Sequence, residues 1–193
     1  MKRIYIYTII VINLLSFSFS AHSQALKHSE IDKLLNHYAT NGMFNGCILV
    51  AEGTEIIYEG AFGYSDFENK NKLKIDDVFG IGSIAKQFTA TGIMILVESG
   101  ELHLDDKLTD FFPEFEKFEY GITLYHLLTH TSGLFDYANE LGMELNNQME
   151  TITPKEAFDK ILGTNRLKFK PGEKRSYSNS GYFLLSLIIE KVA

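Results

Sequence analysis

Ser83 and Lys86 stand three residues apart in the stretch FGIGSIAKQFTATG, Phe79 to Gly92. On a helix, residues at this spacing share a face. Lys86 can therefore reach the Ser83 hydroxyl, which must lose its proton to attack a carbonyl carbon. A serine at a helix start also has unpaired backbone N–H groups around it, which suit a developing oxyanion. Both residue types are common, so a second reading stays open on this segment alone: Ser83 caps the helix and Lys86 extends into water.

A tyrosine could complete such a site, because a phenolate beside a cation is a competent general base. Two Tyr-x-Asn triplets are present, Tyr137-Ala138-Asn139 and Tyr177-Ser178-Asn179. The first follows Gly133 in a polar loop. The second lies between the turn Lys170-Pro171-Gly172-Glu173 and an apolar helix, so packing supports it on one side and favours Tyr177. For either triplet the alternative is a surface aromatic beside a turn-forming asparagine. His126 and His130 have ligand spacing, but Leu127 stands where the zinc-hydrolase pattern needs Glu. Both are read as structural, and no metal is expected. Asp76-Asp77 and Asp105-Asp106 read as loop and capping carboxylates.

The elements that must position these residues follow in order. Ser29 caps a helix in which Ile31, Leu34, Leu35 and Tyr38 form one stripe, ended by Gly42 and Gly46. Residues 47–51 and 54–58 flank Glu52-Gly53 and predict a hairpin. Gly60 to Tyr64 predicts a bulge or close backbone approach, and Asp66 to Asp77 a surface loop. The Ser83 segment opens a helix to Glu98 with apolar residues all round it, which predicts burial on most sides. Leu102, Leu104, Leu108, Phe111 and Phe112 punctuate an acidic loop up to Pro113. Thr123 caps a short helix through Leu128. Thr153-Pro154-Lys155-Glu156 is a capping box with proline at the first helical position, starting a helix that ends at Gly163. A last apolar helix runs from Phe183 through Val192.

Composition sets further limits. Lys2 and Arg3, the apolar run Ile4 to Ser20 and the small residues Ala21 and Ser23 predict a secretory signal peptide over residues 1–23. The mature chain is then 24–193, exported to a periplasm or secreted. A retained anchor is the rival reading, and membrane association follows only from it. Formal net charge is −7, and cleavage would remove Lys2 and Arg3 but no acid. Such a chain is a poor candidate for binding nucleic acid or anionic lipid. At 45% hydrophobic residues it is globular. Cys47 is the only cysteine, so no intrachain disulfide forms. Its apolar surroundings in Cys47-Ile48-Leu49-Val50 predict a small buried hydrophobe.

Four blocks in order, FGIGSIAKQFTA, LVESGELHLDD, ITLYHLLTHTSGL and KPGEKRSYSNSGYFLLSLIIEKV, resemble the serine β-lactamase-related family. That family joins class C β-lactamases, D-amino-acid peptidases and carboxypeptidases, and related esterases. The resemblance covers about Ile31 to Ala193. It implies an α/β (α+β) fold of the β-lactamase/penicillin-binding transpeptidase type, a helical lobe beside an antiparallel sheet. By position, it implies Ser83 as the acylated nucleophile, Lys86 as its proton partner, Tyr177 as the tyrosine base and Asn179 as the residue binding the substrate's amide. His130 and Ser132 take loop-structuring roles. No cofactor is implied, and the substrate is a small molecule or peptide: a β-lactam, a D-amino-acid peptide or a small ester. Tyr-x-Asn in place of Ser-Asp-Asn points to the class C and esterase branch. Whether Lys86 or Tyr177 is the base stays open, since the two can titrate as one unit.

Members of the family carry a third motif, a basic residue or His, then any residue, then Gly, on a later strand that supplies an oxyanion N–H. The chain ends before it. The expectation is therefore a partial catalytic domain over 24–193, truncated before the C-terminal strands that the hairpin would join. A non-catalytic binding module on the same scaffold is the alternative.

Overall fold

The computed structural model describes residues 28–140, 152–164 and 166–193. The chain divides after Gly80 into two compact units. The signal peptide expected over 1–23 lies outside the described residues. Among the described residues, no helix is long and apolar enough to cross a membrane.

The first unit opens with helix α1, residues 28–40. Gly42, at φ +70°, ends it. Its N–H donates to Ala39 C=O and that of Met43 to Tyr38 C=O, the paired pattern of a left-handed C-terminal cap. Strands β1 (Gly46–Glu52) and β2 (Glu55–Phe62) form an antiparallel hairpin, with Glu52 opposite Glu55 across Gly53-Thr54. A register shift falls at Val50/Ala51. The second strand runs four residues past the predicted Tyr58. Gly63, at φ +88°, then redirects the chain into β3 (Tyr64–Asp66), paired with β4 (Asn71–Lys72). Part of the expected loop is thus a short ribbon.

Two expectations for this unit need correction. Ile31 and Leu35 are half-buried, but Leu34 and Tyr38 remain exposed. A two-stranded ribbon is too narrow to cover a full helical stripe. Tyr58, 3% exposed, supplies the local anchor, its hydroxyl donating to Asp32 Oδ1 at 2.9 Å. Cys47 is only half-buried, and its thiol donates to the Lys74 carbonyl at 3.2 Å.

The second unit is helical. It contains α2 (Ala85–Glu98), α3 (Leu108–Phe111), a 3₁₀ stretch (Pro113–Phe118), α4 (Leu124–Leu128), α5 (Tyr137–Glu140), α6 (Pro154–Gly163) and α7 (Asn179–Val192). Its core joins Ile93 and Leu96 of α2, Leu124 and Leu127 of α4, Ile161 of α6, and Leu184, Leu185 and Ile188 of α7. Leu102, Leu108, Phe112, Phe115 and Phe118 fill the same core. The apolar punctuation of the acidic loop is therefore a set of buried anchors along a chain with little regular structure. Gly92 allows α2 close to α7: a Cβ there would stand 3.0 Å from Ile189 Cδ1.

The caps predicted at Thr123 and Thr153 take form, whereas Ser29 lies inside α1 rather than ahead of it. Thr123 Oγ1 accepts His126 N–H, and Thr153 Oγ1 accepts Glu156 N–H while Glu156 returns the bond to Thr153 N–H at 2.8 Å. Helix α7 starts four residues before the predicted Phe183, because Ser178 Oγ caps it by accepting Gly181 N–H. Helix α2 departs from expectation more strongly. It buries only Ile93 and Leu96, whereas Phe88 is 66% and Ile95 58% exposed. Apolar residues do surround it, but its described neighbours contact chiefly the face that meets α7.

Candidate active site

Gly82, at φ +51°, turns the chain into a 3₁₀ turn (Gly82–Ile84) that leads directly into α2. No side chain caps either element, so the Ser83 hydroxyl is not engaged in capping. Lys86 does not extend into water. Its Nζ donates to Ser83 Oγ at 3.3 Å and to Asn179 Oδ1 at 2.8 Å. Tyr177 Oη donates to the same Ser83 Oγ at 2.6 Å. All four residues singled out from the sequence thus meet, and all lie within the helical unit. Ser83 is exposed and Tyr177 is 42% exposed, so a substrate can reach the oxygen.

Two antiparallel stretches of loop hold Tyr177 in place. Residues 130–133 pair with 168–176: Lys168 N–H donates to Gly133 C=O, Gly172 N–H to Thr131 C=O and Ser176 N–H to His130 C=O. Gly133 sits at φ +74°, and a Cβ there would collide with the Phe169 carbonyl oxygen. Glycine is required at that position by both backbone conformation and space. His130, at φ +60° and 8% exposed, packs its ring 4.7 Å from that of Tyr177 and 5.0 Å from that of Tyr182. Its Nδ1 accepts Ser178 N–H at 3.1 Å, which places any imidazole proton on Nε2.

The electrostatics match this geometry. Burial pushes the Tyr177 phenol up, but hydrogen bonds with Lys86 and Ser83 and the Lys86 charge outweigh it, leaving the group below its ordinary value. Lys86 Nζ stands 4.8 Å from the Tyr177 ring centroid. His130 is held below the usual imidazole range by burial and by the Arg175 and Lys86 charges, with Asp136 acting in the opposite sense.

Of the remaining sequence candidates, His130 meets the cluster only by supporting Tyr177 and Ser178. Tyr137 packs edge-on against Phe183, and its backbone N–H donates to the buried Ser180 Oγ. His126 and His130 do not share a helix, since α4 ends at Leu128. His126 Nδ1 accepts Thr123 N–H at 3.2 Å. Among the described residues, no three His, Cys, Asp or Glu side chains converge as a metal site requires. Sequence reasoning missed Asp136. Only 1% exposed, its carboxylate accepts Asn179 N–H, Asn179 Nδ2–H and Ala138 N–H. A lone acid in Gly133-Leu134-Phe135-Asp136 reads as an ordinary loop residue, and only its apolar surroundings signalled burial.

Comparison with known proteins identifies the family and the fold. Residues 29–193 match the family model described as Beta-lactamase. The chain is 36% identical over 168 residues to penicillin-binding protein 4* of Bacillus subtilis, covering 86% of this chain and 37% of that protein. Among solved structures, the octameric penicillin-binding protein homologue from Pyrococcus abyssi aligns with a TM-score of 0.69 at 33% identity, over 85% of this chain and 39% of that one. The D-amino acid amidase from Ochrobactrum anthropi aligns with a TM-score of 0.58 at 31% identity, over 75% and 38%. The chain spans less than half the length of each.

Proposed function

The chain belongs to the β-lactamase family, and on that premise we propose that it carries the nucleophile of an exported serine hydrolase that transfers an acyl group from an amide or ester. Its mixed helix-and-strand fold is the one shared with the penicillin-binding protein and amidase structures. One observation carries the reading: an exposed serine oxygen receives hydrogen bonds from both a lysine and a tyrosine whose phenol is lowered.

Tyr177, as phenolate, takes the Ser83 proton while Oγ bonds to the carbonyl carbon. The resulting tetrahedral centre expels the amine or alcohol, which leaves with the proton from Tyr177. Water then attacks the Ser83 ester, giving its proton to Tyr177, and the acid departs as Oγ is reprotonated. Lys86 stabilises the phenolate through its hydrogen bond and charge. The Ser83 backbone N–H, at the start of the 3₁₀ turn, would meet the oxyanion. A β-lactam or an amide of a D-amino acid is the acyl donor we favour, a reading supported by the relatives named penicillin-binding protein and D-amino acid amidase.

The test is hydrolysis of a D-amino acid amide and of a nitrophenyl ester by the full-length protein from its native host. Turnover by the wild type that disappears in Ser83→Ala is the expected result. Equal turnover by both proteins, or none by a folded wild type, defeats the reading.

A further inference from the structure

We propose that Asp136 is a positioning residue that fixes which end of the Asn179 amide meets Lys86; this rests on the serine hydrolase reading above. A carboxylate can only accept hydrogen bonds, so the Asn179 NH₂ group must face it. The structure has that orientation, with Nδ2 3.3 Å from Asp136 Oδ1 and 3.2 Å from Oδ2. The carbonyl end is then left to accept from Lys86 at 2.8 Å.

A flipped amide would set two donors against each other, Nδ2 facing the Lys86 ammonium. Lys86 would lose the acceptor that holds it over Ser83 and beside the Tyr177 ring. Asp136 touches none of the reacting atoms in this arrangement. It acts through Asn179, and its charge lies one amide away from the Lys86 cation.

The carboxylate is itself rigidly placed. Asn179 N–H, in the first turn of α7, donates to Oδ2 at 3.2 Å, and Ala138 N–H donates to Oδ1 at 3.0 Å. An anion is favoured at the N-terminus of a helix of this length. At 1% exposure, water cannot supply these bonds instead. Both ends of the Asn179 amide are therefore engaged within the protein, which gives this residue a second task besides the contact to substrate expected from the resemblance.

The experiment compares kcat and KM for nitrophenyl ester hydrolysis in the full-length protein, with thermal melting as the check on folding. Asp136→Asn should lower kcat by about 10- to 100-fold with KM within about twofold, the size of one lost acceptor to a charged group. In an Asn179→Ala background the same substitution should change kcat by less than about twofold, because the residue it acts through is gone. Asn179→Asp sets two carboxylates together and should be nearly inactive. Adding Asp136→Asn to it should recover at least about tenfold, because the new amide can donate to the new carboxylate.

Wild-type kcat in folded Asp136→Asn overturns the inference alone, as does a full multiplicative loss in the Asn179→Ala background. Should Asp136→Asn fail to fold, the exchanged pair decides: recovery supports the inference, and no recovery, folded or not, overturns it. An inactive wild type defeats the hydrolase reading instead.

Discussion

Ser83 and Tyr177 lie 94 residues apart in the chain, yet Tyr177 Oη donates to Ser83 Oγ at 2.6 Å. The contact is made by packing, since α2 and α7 meet at Gly92 and Ile189, with Ser83 in the 3₁₀ turn leading into α2 and Tyr177 just ahead of the Ser178 cap of α7. Tyr177→Phe keeps the ring against His130 and removes only the oxygen. Acylation of Ser83 should fall by about 10²- to 10⁴-fold, the range for losing a positioned base. Rapid-quench measurement of the acyl-enzyme reads this directly, and a fall of less than about fivefold would assign the base role to Lys86.

The lowered Tyr177 phenol sets a pH dependence. The base works deprotonated, so acylation rises with pH, and its midpoint should fall below the value of about 10 usual for tyrosine. Replacing Lys86 by methionine removes a hydrogen bond and a charge that both lower the phenol. The midpoint should then move upward. A pH–rate profile for both proteins checks this, and an unmoved midpoint in Lys86→Met would contradict it.

His130 gives a stability prediction of definite sign. Its folded value is lowered by burial and by the Arg175 and Lys86 charges, while an unfolded histidine titrates near about 6.5. The folded state therefore resists protonation. Stability is fully present above the unfolded value and is lost as pH falls below it. Burial gives His126 the same sign. His130→Asn keeps an acceptor for Ser178 N–H without a titrating group. It should lower the melting temperature at pH 7.5, but the further drop from pH 7.5 to 5.5 should be smaller than in the wild type. An unchanged drop would contradict the assignment.

Local chemistry was the legible part of the sequence. The spacing of Ser83 and Lys86 places them on one face whatever else the chain does, and the Thr153 box needs only four consecutive residues. Tyr177 was separable from Tyr137 because a turn and an apolar helix bracket it. Asp136 was not legible, since its meaning depends on Asn179, 43 residues away. The apolar wrapping of α2 was misleading for a similar reason: composition states what a helix could bury, and the neighbours decide what it does bury. Leu34 and Tyr38 repeat that lesson on a ribbon too narrow to cover them.

The central claim is that Ser83 is a nucleophile in a lysine–tyrosine setting, and intact-mass measurement after exposure to benzylpenicillin tests it most directly. The account predicts that full-length wild-type protein gains one penicilloyl group, mapped by peptide digestion to Ser83. Ser83→Ala should gain none, and Tyr177→Phe should gain it slowly. Label on another residue, or a folded wild type that stays unmodified by both benzylpenicillin and a fluorophosphonate, would contradict it.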